Sequence, residues 1–377
     1  MTHQYNPYTE KLLASHRLAG PSGIAAALTR SREGYRVWRD LPLKDRTTCL
    51  LRLADLLESR EAELAEAMAV EVGKPLAEGL AEVAKSVFTI RFFADRAEYN
   101  LSGSEKVADG RKYQIKPEPM GAVLLVMPWN FPLWQVIRAG VPSLCLGNVL
   151  LLKHAPNAFR FSERLAGLFV EAGFPEGALV NLKIGIPGLK QVVADPHVCG
   201  VSLTGSEQAG RSMAALAGRW LKPCVLELGG NDPFVVLDDA NLDAAATLAV
   251  SSRLINNGQS CVAAKRFLVA RSRLRAFSEM LLEKLSSWTA GDPLLAETRL
   301  GPLARRDLLE KLQDQVNQSL SQGARLLAPP GQKRPKTGFF FMPCLLLDAA
   351  PGMTCFAEEL FGPVFSLTPF ATEEDAI

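Results

Sequence analysis

The stretch VLLVMPWNFPLWQVIRAGVPSLCLGNVLLLK, residues 123–153, decides the fold. Val123 to Met127 is an uninterrupted apolar run, as a buried strand requires. Leu133 to Leu146 then carries the helical pattern, and Val149 to Lys153 returns to a strand. The same rhythm continues with Phe161 to Ala172 as a helix, Val180 to Lys183 and Gly200 to Leu203 as strands, Ser206 to Ala217 as a helix and Cys224 to Leu228 as a strand. Such alternation predicts an α/β fold, a parallel sheet with helices on its faces and ligands at the carboxyl ends of its strands.

Towards the amino terminus, the first hundred residues read as helical, with Ala25 to Asp40 and Arg46 to Val72 as helices and Gly73-Lys74-Pro75 as a stop. Ser102 to Lys116 is polar and extended around Asp109-Gly110, a hairpin expected to project from the body and pair elsewhere. After Gly230 a second α/β unit is expected. Its helices lie near Leu242 to Ile255, Leu274 to Trp288 and Arg305 to Gln322, its strand at Arg266 to Ala270, and Pro329 to Lys336 is a polar loop.

The 377 residues, 48% of them hydrophobic, suffice for two domains with their own cores. A net charge of +2 without a basic stripe gives no footprint for nucleic acid or an anionic membrane. No signal peptide or membrane span is visible, so a cytoplasmic protein is expected. Seven cysteines stand singly, without Cys-x-x-Cys pairs, so neither zinc nor a disulfide framework is predicted.

Cys261 differs from the other six by context, since it follows Gly258-Gln259-Ser260 between a helix and a strand. With Glu227 in Glu227-Leu228-Gly229-Gly230 and Asn130 in Pro128-Trp129-Asn130-Phe131-Pro132, it completes an acyl-transfer set. A thiolate attacks a carbonyl carbon, an amide steadies the oxyanion, and a carboxylate activates the water that releases the acyl group. A hydrolase using Cys261 with a histidine base is the weaker reading, because none of His3, His16, His154 and His197 has a base's placement. Asn130 and Cys261 fall in different units, so the site is expected at a cleft between domains.

No Gly-x-Gly-x-x-Gly follows any strand. Thr204-Gly205-Ser206, followed by Gly210, instead offers backbone N–H groups and a hydroxyl to a phosphate at a helix amino terminus, although Ser206 also suits an ordinary N-cap. Similarly, Lys153 alone reads as a lysine closing a strand, Phe361 as a core aromatic and Glu359 as a solvated carboxylate.

Taken together and in order, these segments and Glu358-Glu359-Leu360-Phe361-Gly362-Pro363-Val364 resemble the aldehyde dehydrogenase superfamily over nearly the whole chain. The resemblance implies a Rossmann-type cofactor domain at 1–101 and 117–228, an oligomerisation hairpin at 102–116 and an α/β catalytic domain at 229–377. It further implies Cys261 as nucleophile, Asn130 as oxyanion donor and Glu227 as base. Lys153, Gly205, Ser206, Trp129, Glu359 and Phe361 would line the nicotinamide cofactor, and no metal is needed. An acidic residue common in NAD-preferring members three positions after the lysine is replaced by Pro156, which implies that NADP is accepted, alone or beside NAD.

The segments around Trp134 and His154 look most like bacterial succinate-semialdehyde dehydrogenases, and Arg138 stands where those enzymes bind a distal carboxylate. A surface arginine is the bland alternative. A second arginine found in some of them just before the Gly-Gln-x-Cys loop is Ile255 here. The sequence ends at Glu373-Glu374-Asp375-Ala376-Ile377, before the loop and last strand that members of the family carry further on. The resemblance therefore leaves two expectations: an aldehyde-oxidising homo-oligomer acting on a small aldehyde, or an inactive shortened relative that keeps nucleotide binding or an interaction role.

Overall fold

The computed structural model describes residues 1–377, and the chain divides into two units. The first comprises Met1–Gln4, Leu13–Ala67 and Leu80–Leu228. The second comprises Tyr5–Leu12, Met68–Gly79 and Gly229–Ile377.

The first hundred residues are not wholly helical. Two short strands, β1 (Thr2–Tyr5) and β2 (Leu12–His16), pair before α1 (Pro21–Asp40). Their polar residues hide an anchor, for His16 is buried against Gln4, its Nε2 lying 3.0 Å from Gln4 Oε1. The single helix expected over Arg46 to Val72 is two, α2 (Leu43–Ser59) and α3 (Glu61–Val72), because Arg60 leaves helical geometry at φ −116°. Helix α4 (Leu76–Leu101) follows, then the hairpin β3 (Ser104–Ala108) and β4 (Arg111–Ile115), paired antiparallel and exposed throughout.

Next come β5 (Ala122–Met127), α5 (Trp134–Leu146), β6 (Val149–His154), α6 (Phe159–Glu171), β7 (Leu179–Asn181), α7 (Ile186–Ala194), β8 (Val198–Gly205), α8 (Glu207–Arg219) and β9 (Cys224–Leu228). The sequence reading had passed over α7. The five strands form one parallel sheet in the order β7-β6-β5-β8-β9. Chain direction across the sheet reverses between β5 and β8, the switch point at which doubly wound sheets bind ligands. Strand β6 is buried along its whole length, as a central parallel strand must be.

The second unit holds β10 (Pro233–Val236), α9 (Leu242–Leu254), β11 (Arg266–Ala270), α10 (Leu274–Ser286), α11 (Arg306–Ser321), β12 (Arg325–Leu327), β13 (Cys344–Leu347), α12 (Thr354–Ala357), β14 (Val364–Phe370) and α13 (Glu373–Ala376). Its sheet runs β10-β11-β14-β13-β12, parallel except for β12. Val250, Leu254, Phe267, Phe277, Leu281 and Phe365 form the heart of its core. Only β11 had been read from the sequence. No helix is long and apolar enough to cross a membrane.

Candidate active site

Strand β5 ends at Met127, and Trp129 and Asn130, both buried, occupy the turn into α5. Two side chains hold that turn. Glu82 of α4 accepts from the backbone N–H groups of Leu133 and Trp134, each at 2.9 Å, placing a carboxylate at the positive end of α5. His154, fully buried, has Nε2 3.0 Å from the Pro132 carbonyl and accepts from the Ala155 N–H at 2.9 Å through Nδ1. These bonds fix the Nε2–H tautomer, and burial pushes the imidazole pKa down to about 4, so the ring is neutral.

Lys153 lies buried at the end of β6, and burial lowers its pKa. Val126 pairs with Lys153 on one side and Leu203 on the other, so Lys153 and Thr204-Gly205-Ser206 share the carboxyl edge. Ser206 caps the 13-residue α8, its Oγ accepting from the Ala209 N–H at 3.3 Å, and the first helical turn is open. A Cβ on Gly205 would approach nothing closer than 3.7 Å, which leaves room above the turn. Gly210 does something else. A Cβ there would lie 2.5 Å from Leu228, so this glycine lets α8 lie against β9 rather than cradling an anion.

Glu227 on β9 is exposed, and Arg138, one turn inside α5, places Nη1 3.3 Å from its Oε2. Arg138 Nη2 donates to Gln135 Oε1 at 3.0 Å and reaches Thr204 Oγ1 at 3.4 Å, while the buried Nε has no partner.

In the second unit Cys261 is half-buried on the loop between α9 and β11. The approach to it is left-handed at three consecutive residues, Asn256 (φ 52°), Asn257 (φ 59°) and Gly258 (φ 78°). Asparagine tolerates that region better than most residues, and side-chain bonds hold it there. Asn257 donates to the carbonyls of Gly73 and Pro302 at 3.0 and 3.1 Å and accepts from Gly301 N–H at 2.7 Å. Gln259 accepts from the Ala304 N–H at 3.0 Å. Gly258 meets the next motif directly, since a Cβ there would lie 2.3 Å from the Gly362 carbonyl carbon.

That next motif, Glu358–Val364, is shaped by Arg253 of α9. Fully buried, its guanidinium donates to the carbonyls of Val364 (2.7 Å), Leu360 and Gly362. Burial pulls its pKa down to about 10. Glu359 lies over Gly229, where a Cβ would fall 2.1 Å from Oε2, and its Oε1 is 3.2 Å from Lys265 Nζ. Phe361 is half-buried on the same segment.

Within the first unit the structure gathers Trp129, Asn130, Arg138, Lys153, Gly205, Ser206 and Glu227 at the carboxyl edge of the sheet; within the second, Cys261, Glu359 and Phe361 lie on loops next to one another. Burial raises the pKa of each of the other cysteines, Cys49, Cys145, Cys199, Cys224, Cys344 and Cys355, and holds them as thiols. Sequence reasoning missed Glu82, His154, Arg253, Asn257 and Lys265 as supports. Arg253 alone carried a signal, for it falls on the buried face of α9 with Ala246, Ala249 and Val250.

The aldehyde dehydrogenase family model matches residues 1–377, and the chain belongs to that family. A succinate semialdehyde dehydrogenase of Escherichia coli, Sad, named for NAD(P)+, is 40% identical over 372 residues, covering 99% of this chain and 80% of that protein. A probable NADP(+) succinate-semialdehyde dehydrogenase of Synechocystis is 41% identical over 359 residues, 95% of this chain and 79% of the relative. The succinic semialdehyde dehydrogenase of Streptococcus pyogenes, solved with NADP+, superposes with a TM-score of 0.96 at 34% identity, covering 100% of this chain and 83% of that one. With the family comes the reaction class, an oxidoreductase, and none of these comparisons supports the reading as an inactive relative.

Proposed function

We propose that this chain oxidises an aldehyde bearing a distal carboxylate, best represented by succinic semialdehyde, to the acid with NADP or NAD. The observation that carries the substrate class is Arg138, whose guanidinium stands at the edge of the first sheet among polar groups with one buried N–H unclaimed. A planar guanidinium suits a carboxylate bidentately. The names of the relatives point the same way.

Cys261 is the nucleophile, and its sulfur adds to the aldehyde carbon. The Asn130 amide and the Cys261 N–H donate to the oxyanion. A bound nicotinamide would supply the acceptor for the hydride that must leave as the thioester forms. Glu227 then deprotonates the water that hydrolyses this thioester, and Cys261 leaves as thiolate. Trp129, Lys153, Gly205 and Ser206 hold the nucleotide on the first unit, Glu359 and Phe361 on the second. The fit is supported by the open first turn of α8, the buried ammonium of Lys153 and a turn at Pro156–Ala158 that presents no carboxylate to repel a ribose phosphate.

On this reading 1–101 with 117–228 forms the cofactor domain, 229–377 the catalytic domain, and 102–116 joins subunits of a homo-oligomer. Seven unpaired cysteines suit a cytoplasmic setting. Incubating the purified chain with succinic semialdehyde and either nucleotide, while following the reduced cofactor, tests the proposal. Turnover is expected with NADP and, in Cys261→Ser, a fall of roughly a thousandfold or more. A folded protein that reduces neither nucleotide with any aldehyde would overturn it, and NADP turnover orders of magnitude below NAD would overturn the cofactor assignment.

A further inference from the structure

Lys265 is the second unit's buried cation next to the nucleophile, and no step above uses it. Its side chain is almost wholly enclosed, at 1% exposure. Nζ donates to the Cys261 carbonyl at 2.6 Å and the Ala263 carbonyl at 3.1 Å, and lies 3.2 Å from Glu359 Oε1. An ammonium has three N–H groups, and here two have carbonyl acceptors while Glu359 faces the charge as an ion-pair partner. Burial lowers the pKa of Lys265, with the charge of Glu359 opposing that fall. The backbone beneath is fastened as well, since the Lys265 and Arg266 N–H groups both donate to the Asp232 carbonyl at 3.1 and 3.2 Å.

We propose that Lys265 is a positioning residue that joins the cofactor carboxylate to the nucleophile loop. Its bond to the Cys261 carbonyl sets the peptide plane on the carboxyl side of the cysteine. Its ion pair keeps Glu359 over Gly229, where a side chain on residue 229 would collide with the carboxylate. One charge therefore fixes the loop that carries the sulfur and the carboxylate assigned to the ribose. Truncating it leaves Glu359 without its cation and two carbonyls without their donor. The Arg253 bonds to Leu360, Gly362 and Val364 hold the rest of the Glu359 segment, so the loss stays local.

This inference rests on the roles given above to Cys261 and Glu359. Lys265→Met keeps the length of the stem and removes the charge. Two measurements that need no turnover are made on the full chain: NADP affinity by intrinsic fluorescence, and hydrogen exchange of the amides at residues 259–264 with and without NADP. In Lys265→Met the NADP dissociation constant should rise roughly tenfold, a middle value for coupled contacting residues. Loop amides should exchange several-fold faster, and saturating NADP, expected to slow them in the parent, should no longer do so. Lys265→Met with Glu359→Gln should be little weaker in binding than Glu359→Gln alone. Should Lys265→Met fail to fold, Glu359→Gln breaks the same pair from its accessible side, and its loop exchange without nucleotide should rise likewise. The proposal is overturned if a folded Lys265→Met binds NADP and protects its loop as the parent does, if the double substitution is additive, or if Glu359→Gln leaves loop exchange unchanged. A parent protein that binds no NADP would instead defeat the functional reading itself.

Discussion

Arg138 and Glu227 form a half-exposed pair between the group assigned to the substrate carboxylate and the group assigned as base. Solvent screens such a pair, so its worth lies in placement rather than stability. On the proposed reading a substrate carboxylate would compete with Glu227 for the guanidinium, coupling substrate arrival to release of the base. Replacing Arg138 with Leu should lower kcat/KM for succinic semialdehyde by about a hundredfold, the loss of a bidentate charge-assisted contact, and change that for butanal less than severalfold. Steady-state kinetics on both aldehydes check this; the carboxylate assignment fails if succinic semialdehyde turnover barely changes while butanal stays a poor substrate. Arg138 was singled out because the resemblance put it where relatives bind a distal carboxylate. Lys265 was not, because beside Arg266 it reads as an ordinary basic strand entry, and only folding shows that one of the two is enclosed.

Among the elements, two turns carry the residues assigned to the chemistry, and each has its own weak point. Gly258 is left-handed and packed against backbone, so Gly258→Ala combines dihedral strain with a collision that no side chain can relieve. A loss of about 3 kcal/mol or more is expected, read as a drop of several degrees in Tm. The other turn hangs on neutral His154. Its folded pKa of about 4 lies below the usual 6.5, so the unfolded chain binds the extra proton between those values. Stability is therefore full above pH 6.5 and falls as pH drops towards 4, by about 3 kcal/mol for this group. Denaturant titrations of His154→Asn against the parent should show that part of the acid sensitivity vanish; an unchanged pH slope contradicts it. Elements were legible where apolar runs were long, as from β5 to β9. Periodicity could not register a one-residue break at Arg60, nor three- and four-residue strands such as β10, β12 and β13.

At the scale of the whole molecule, the Cys261 loop is supported from widely spaced segments, by Gly73 and Glu78, by Pro302 and Ala304, and by Gly362. The hairpin, by contrast, is exposed throughout. Tyr113 and Ile115 share one of its faces and are 51% and 68% exposed, apolar surface on an unpaired edge. Tyr113→Glu with Ile115→Glu should lower the solution mass measured by light scattering from oligomer to monomer, while an unchanged mass removes the hairpin from assembly.

The central claim is that Cys261 is acylated by oxidation and freed by Glu227. It is tested most directly by mixing Glu227→Gln with succinic semialdehyde and NADP, quenching in acid and mapping the modified peptide by mass spectrometry. The account predicts a burst of about one equivalent of reduced nucleotide, slow turnover afterwards, and a succinyl group on Cys261 alone. A burst without an adduct on Cys261, or full steady turnover in this variant, would contradict it.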